Sequence, residues 1–183
     1  MTQAPVTAKQ NPDALRVEGL VKCFGARRVL DGVGLDIAPG IAAGLVGANG
    51  AGKTTFIKCV LDLCAADGGR VEIFGIDGRQ AAARARLAYL PERFSPPYYL
   101  LGREFLAMTL ALAGARYVAG HAEAMAAELE LDPQALERPV RQLSKGMTQK
   151  LGLAGCSNVL QDEQKELEER GCSLSKFPEI YFN

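Results

Sequence analysis

Gly47-Ala48-Asn49-Gly50-Ala51-Gly52-Lys53-Thr54 gathers glycines, an ammonium and a hydroxyl into one short stretch, a spacing suited to holding a chain of phosphates. Glycine at Gly47, Gly50 and Gly52 admits backbone conformations that a Cβ forbids, so successive N–H groups can turn inward as an anion nest. Lys53 would meet the β- and γ-phosphates as a point charge, and Thr54 would offer its hydroxyl to Mg²⁺. A helix beginning near Gly52 would aim its positive end at the same oxygens. The bland alternative is a glycine turn that happens to precede a lysine, and it leaves the flanking pattern unexplained.

That flanking pattern is what must position the loop. Ile41-Ala42-Ala43-Gly44-Leu45-Val46 is apolar throughout, as a strand of a parallel sheet buried on both faces would be. Phe56, Ile57, Val60, Leu61 and Cys64 fall at helical spacing and predict a helix running to about Cys64, before Asp67-Gly68-Gly69. Upstream, Leu15 to Val21 and Val33 to Ile37 alternate as two antiparallel strands, and Arg70 to Phe74 repeats the alternation. Gln80 to Arg86 reads as a short helix, and Leu87-Ala88-Tyr89-Leu90 as a core strand ended by Pro91. After the loop Pro96-Pro97-Tyr98-Tyr99, helices are predicted over Arg103 to Ala113 and Tyr117 to Leu131, the second stopped before Asp132-Pro133. Their methionines, Met108 and Met125, read as packing.

A second glycine element, Leu143-Ser144-Lys145-Gly146-Met147, precedes a helical pattern over Gln149 to Ala154, with Ser144 placed to cap it. By itself this is equally an ordinary helix start. Beyond Gly155 the texture changes: Gln161 to Arg170 is charged and reads as a solvated helix, and 171 to 183 is weakly patterned.

Composition narrows the classes. With 48% hydrophobic residues in 183, the chain can bury a core, and its 21 basic residues balance 21 acidic ones, which leaves no basic field for nucleic acid. The odd number of cysteines, 5, without C-x-x-C spacing fits a reducing compartment better than a disulfide or zinc framework. Met1 to Asp13 is polar and lacks an apolar signal core, and no apolar stretch approaches the ~18 residues that would span a bilayer.

In their order along the chain, these elements resemble the nucleotide-binding subunit of an ABC transporter over residues 14 to 154. Phe24, in Lys22-Cys23-Phe24-Gly25, is similar to the aromatic residue that stacks on adenine in that family, and Gly47 to Thr54 matches the Walker A motif. Leu90-Pro91-Glu92 stands where the family usually has Pro-Gln, and Leu143 to Met147 resembles the signature loop Leu-Ser-Gly-Gly-Gln, with Lys145 and Met147 as departures. The resemblance implies an α/β P-loop NTPase fold, an ABC-type nucleotide-binding domain with an antiparallel β subdomain and a helical insert at about 92–154. It divides the chain into a leader, 1–13, the domain proper, 14–155, and a divergent tail, 156–183.

It also implies ATP and Mg²⁺ as ligands. The nucleotide would be held by Phe24, Gly47, Ala48, Asn49, Gly50, Ala51, Gly52, Lys53, Thr54, Thr55, Ser144 and Gly146, and the metal by Thr54 and Glu92. The implied partners are a transmembrane permease subunit and a second ATP-binding subunit paired head to tail, at the cytoplasmic face of the membrane. Glu92, a carboxylate in place of Gln, adds charge near the triphosphate and is the one candidate for a substitute base.

The largest departure follows Ala154. The family's buried strand ending in Asp-Glu and its switch His are not matched there; Asp162-Glu163 sits in a charged stretch, and His121 lies in the helical insert as a surface residue. The core sheet is therefore expected to be incomplete. General-base participation contributes about 10²- to 10⁴-fold to a rate, so its loss predicts hydrolysis near background with the phosphate nest intact. Two alternatives stand beside a transporter ATPase: a catalytically inactive nucleotide-binding fragment, and another P-loop enzyme, against which the signature loop argues.

Overall fold

The computed structural model describes residues 12–85 and 87–169, with the backbone alone for 161–169. Alternation in the N-terminal part produces an antiparallel sheet. Strand β1, Leu15–Phe24, pairs with β2, Arg27–Ile37, in a register running from Leu15 opposite Ile37 to Phe24 opposite Arg27. The other edge of β1 takes β3, Gly68–Ile73, and β3 takes the short β4, Ile76–Asp77, giving the order β2-β1-β3-β4. The inward set, Leu15, Val17, Leu20, Ile37 and Ile73, is buried; Leu15 and Val17 follow the period of two, and a bulge between Val17 and Leu20 returns Leu20 to the same face. Helix α1, Lys53–Val60, buries Phe56, Cys59 and Val60, and a single turn, α2, covers Ala81–Arg84. The described residues up to Ile41, with Gly47–Arg84, form one compact unit, and Ala42–Val46 with those from Ala85 onward form a second.

The second unit is helical. Helices α3, Gly102–Leu112, α4, Ala119–Glu128, and α5, Lys145–Glu169, enclose Phe105, Leu106, Ala122, Met125, Ala126, Leu151 and Ala154. Short 3-10 turns over Pro133–Glu137 and Val140–Gln142 close the core with Ala135, Leu136 and Val140. Asp132 caps the first of them by accepting from the Gln134 N–H at 2.9 Å. Met125 is buried and Met108 packs against the same cluster, so both methionines serve packing.

Four expectations need correction. Residues 41–46 form no strand and lie open, with Val46 94% exposed. A strand buried on both faces needs hydrogen-bonding neighbours on its two edges, and among the described residues every strand pairing is antiparallel and lies elsewhere. For the same reason 87–90 is irregular, and Tyr89 is exposed.

Helix α1 stops at Val60 rather than Cys64. Asp62 takes the left-handed conformation at φ 56°, with the Leu63 N–H on the Lys58 carbonyl (2.9 Å) and the Asp62 N–H on that of Cys59 (3.1 Å), the pairing that ends a helix with a reverse turn. Finally, the two separate helices expected after Ser144 are one. Helix α5 runs unbroken through 155–161, where neither proline nor a capping turn interrupts it. An edge strand within Cys172 to Phe182 falls outside the described residues, as does the leader up to residue 11.

Candidate phosphate-binding loop and its partner loops

The glycine loop forms a tight turn at the head of α1. The Ala51 N–H donates to the Ala48 carbonyl at 3.1 Å, Gly50 has φ 82°, and Gly52, at φ 96°, is the helix N-cap. A side chain at Gly52 is excluded twice over, by that φ and by space, because a Cβ there would lie 3.0 Å from the Val29 carbonyl oxygen and 3.1 Å from Leu30 Cδ2 on β2. The helix begins with no side-chain cap and no acidic residue in its first turn. Its first N–H groups thus carry the positive end of the helix without an internal acceptor or a competing carboxylate. Lys53 Nζ folds back to donate to the carbonyls of Gly47 (2.6 Å) and Ala48 (3.0 Å). An ammonium resting on neutral carbonyls is poised to exchange them for anionic oxygens, which bind it more strongly. Gly47 to Ala51 and Thr54 are exposed, and Thr55 is half-buried.

Phe24 belongs to the same unit. It ends β1 at the β1–β2 turn and is 54% exposed, large for an apolar residue beside a sheet.

Ser144, Gly146 and Glu92 belong to the second unit. Ser144 is the cap foreseen from its residue type: its Oγ accepts from the Met147 N–H at 3.2 Å, and its carbonyl accepts from the Thr148 N–H at 2.9 Å. A Cβ at Gly146 would meet nothing nearer than Ser144 Oγ at 4.0 Å, so no internal contact demands glycine there. Glu92 is exposed, and its backbone carbonyl accepts from Gln149 Nε2 at 3.3 Å. That bond joins the Leu90-Pro91-Glu92 segment to α5, and Gly152 makes the approach possible: a Cβ on it would fall 2.7 Å from both Leu90 Cδ1 and Phe94 Cε1. Gly152 went unnoticed in the sequence, where a glycine inside a helical pattern was its only mark. Among the described residues, no group of His, Cys, Asp and Glu side chains is arranged to hold a metal ion.

A family model described as ABC transporter matches residues 30–162. The chain belongs to the ABC transporter family. An aliphatic sulfonates import ATP-binding protein of Rhizobium johnstonii is 32% identical over 82% of this chain and 54% of its own length. A daunorubicin resistance ATP-binding protein of Streptomyces coeruleorubidus is 35% identical over 85% and 50%. The chain thus spans about half the length of these curated relatives. A solved ATP binding subunit of an ABC transporter, 28% identical, covers 80% of this chain and 62% of its own at a TM-score of 0.66. A proposed ABC transporter ATP-binding protein from Pyrococcus furiosus, at 19% identity, covers 92% and 96% with a TM-score of 0.68, a likeness of fold alone.

The fold is accordingly that of the ABC ATPase domains, a P-loop NTPase architecture whose sheet is incomplete here. Seen as a family member, the chain explains one departure in its signature loop: Met147 is partly buried against the helical core, together with Leu143, so the residue there packs inward. Asp162-Glu163 falls on α5 and not at the end of a strand. His121 lies exposed on α4. No helix among the described residues is long and apolar enough to cross a membrane.

Proposed function

We propose that this chain binds MgATP as the nucleotide-binding part of an ATP-binding subunit of an ABC transporter, working with a membrane permease. One observation carries the reading: a glycine loop with Lys53 on its own carbonyls, set on a helix head that has neither cap nor carboxylate. Backbone N–H groups from Gly47 to Thr55 and the Lys53 ammonium hold the phosphates, and Phe24 stacks on adenine. Mg²⁺, when bound, would neutralise phosphate charge, and the Thr54 hydroxyl, on an exposed residue of the same unit as the glycine loop, would hold it. Ser144 and the open backbone at Gly146 serve a nucleotide held by a second copy, paired head to tail. One relative's name gives import and another's, a Nod factor export ATP-binding protein, gives export, so direction and cargo rest with the permease.

Calorimetric titration with MgATP tests this. Removing a charge-assisted contact costs about 1.5–3 kcal/mol, so Lys53→Ala is expected to weaken binding by roughly one to two orders of magnitude. Equal affinity in wild type and Lys53→Ala would overturn the reading. Phosphate release by the chain itself is expected near the level of Lys53→Ala, because Asp162-Glu163 is helical and Glu92 is the remaining candidate base. Robust turnover lost on Glu92→Gln would assign that role to Glu92 and reverse the expectation.

A further inference from the structure

Lys22 is a covered lysine: its side chain is 12% exposed, although it stands near the end of a strand and two residues before the open ring of Phe24. Residues two apart on a strand share a face, so Lys22 and Phe24 point the same way. The Lys22 ammonium lies over the Phe24 ring, 5.3 Å from its centroid, and donates to Asp67 Oδ1 at 3.1 Å. Asp67 is itself fixed. Its Oδ2 accepts from the Cys23 N–H at 2.6 Å, and its own N–H donates to the Val21 carbonyl at 2.9 Å. Asp67, just ahead of β3, thus holds the ammonium and the Cys23 N–H with its carboxylate and the Val21 carbonyl with its own N–H, while Phe24 stays 54% exposed.

We propose that Lys22, clamped by Asp67, is a positioning and specificity residue for the base at Phe24. The cation occupies one face of the ring, fixing its orientation and drawing π-density toward itself. The opposite face becomes a better surface for an electron-rich purine. This rests on the reading that Phe24 receives the base, and its test separates the two claims.

Full-length wild type, Lys22→Met, Lys22→Arg, Asp67→Asn and Phe24→Ala are each titrated with MgATP and with inorganic tripolyphosphate, which has phosphates but no base. A cation–π contact corresponds to about two- to fivefold in affinity at an exposed site and to more where the cation is covered, so Lys22→Met and Asp67→Asn are expected to weaken ATP by at least that factor. Tripolyphosphate affinity should be unchanged in both, which also reports an intact loop, and Lys22→Arg should restore most of the ATP affinity. Phe24→Ala that weakens ATP while Lys22→Met does not would overturn the positioning role alone. Lys22→Met weakening both ligands equally would overturn it too, as a general loss of charge or structure. Phe24→Ala without effect on ATP would remove the stacking reading and the proposal with it.

Discussion

The heads of α1 and α5 are both short glycine-bearing loops, yet they are finished differently. At α1 the cap is Gly52, with no side-chain acceptor and no acid in the first turn. At α5 the chain supplies its own acceptor, Ser144 Oγ, to the Met147 N–H. A helix head completed internally is stable by itself, and one left open keeps its donors for an incoming anion. The open head also has the tighter steric demand, since Gly52 has a backbone oxygen 3.0 Å from where a Cβ would be, while the residues around Gly146 leave room. One loop leaves its helix head without a side-chain acceptor. The other is a self-sufficient helix start that presents a hydroxyl and bare backbone outward.

The comparison can be broken first at Gly52. Gly52→Ala forces a left-handed residue against the Val29 carbonyl and is expected to cost about 1–3 kcal/mol in urea unfolding, with loss of MgATP binding in the same sample. At the other head, Ser144→Ala removes a cap and should cost about 1 kcal/mol in the same unfolding measurement. If Ser144→Ala proved the more damaging, the division into an open and a finished head would be wrong.

A pH-dependent effect sharpens the far end of α1. Burial pushes the Cys59 thiol up to about 11. The folded state therefore holds that proton after the unfolded chain has released its own near pH ~8.5, and stability should decline as pH rises from there toward 11. Thermal melts between these limits should show the decline in wild type and a flatter profile in Cys59→Ala; parallel profiles would discount the buried thiol.

What the sequence made legible was local. Alternation located the β1–β2 pair and β3, helical spacing with Pro133 bounded α3 and α4, and residue type alone identified Ser144 as a cap. The apolar runs 41–46 and 87–90 were misread because hydrophobicity states what would be buried, whereas a strand exists only when another backbone pairs with it. The continuity of α5 was missed because a change from apolar to charged residues alters a helix's surroundings without stopping it. Within the candidate site, the glycine turn and the helix that starts at Lys53 were legible. The Lys22–Asp67 clamp was not, since its partners lie 45 positions apart and only folding brings them together. Gly152 likewise acquires meaning only against Leu90 and Phe94.

Met147 ties its loop to the helical core. Its side chain packs against that core, as Leu143 does, at the position where the resembled signature loop has glutamine. A glutamine there would push an amide toward a surface fitted to a thioether, at a cost of about 1 kcal/mol or more if the amide found no partner. The methionine thus acts as an anchor that ties the loop after Ser144 to the helices beneath it.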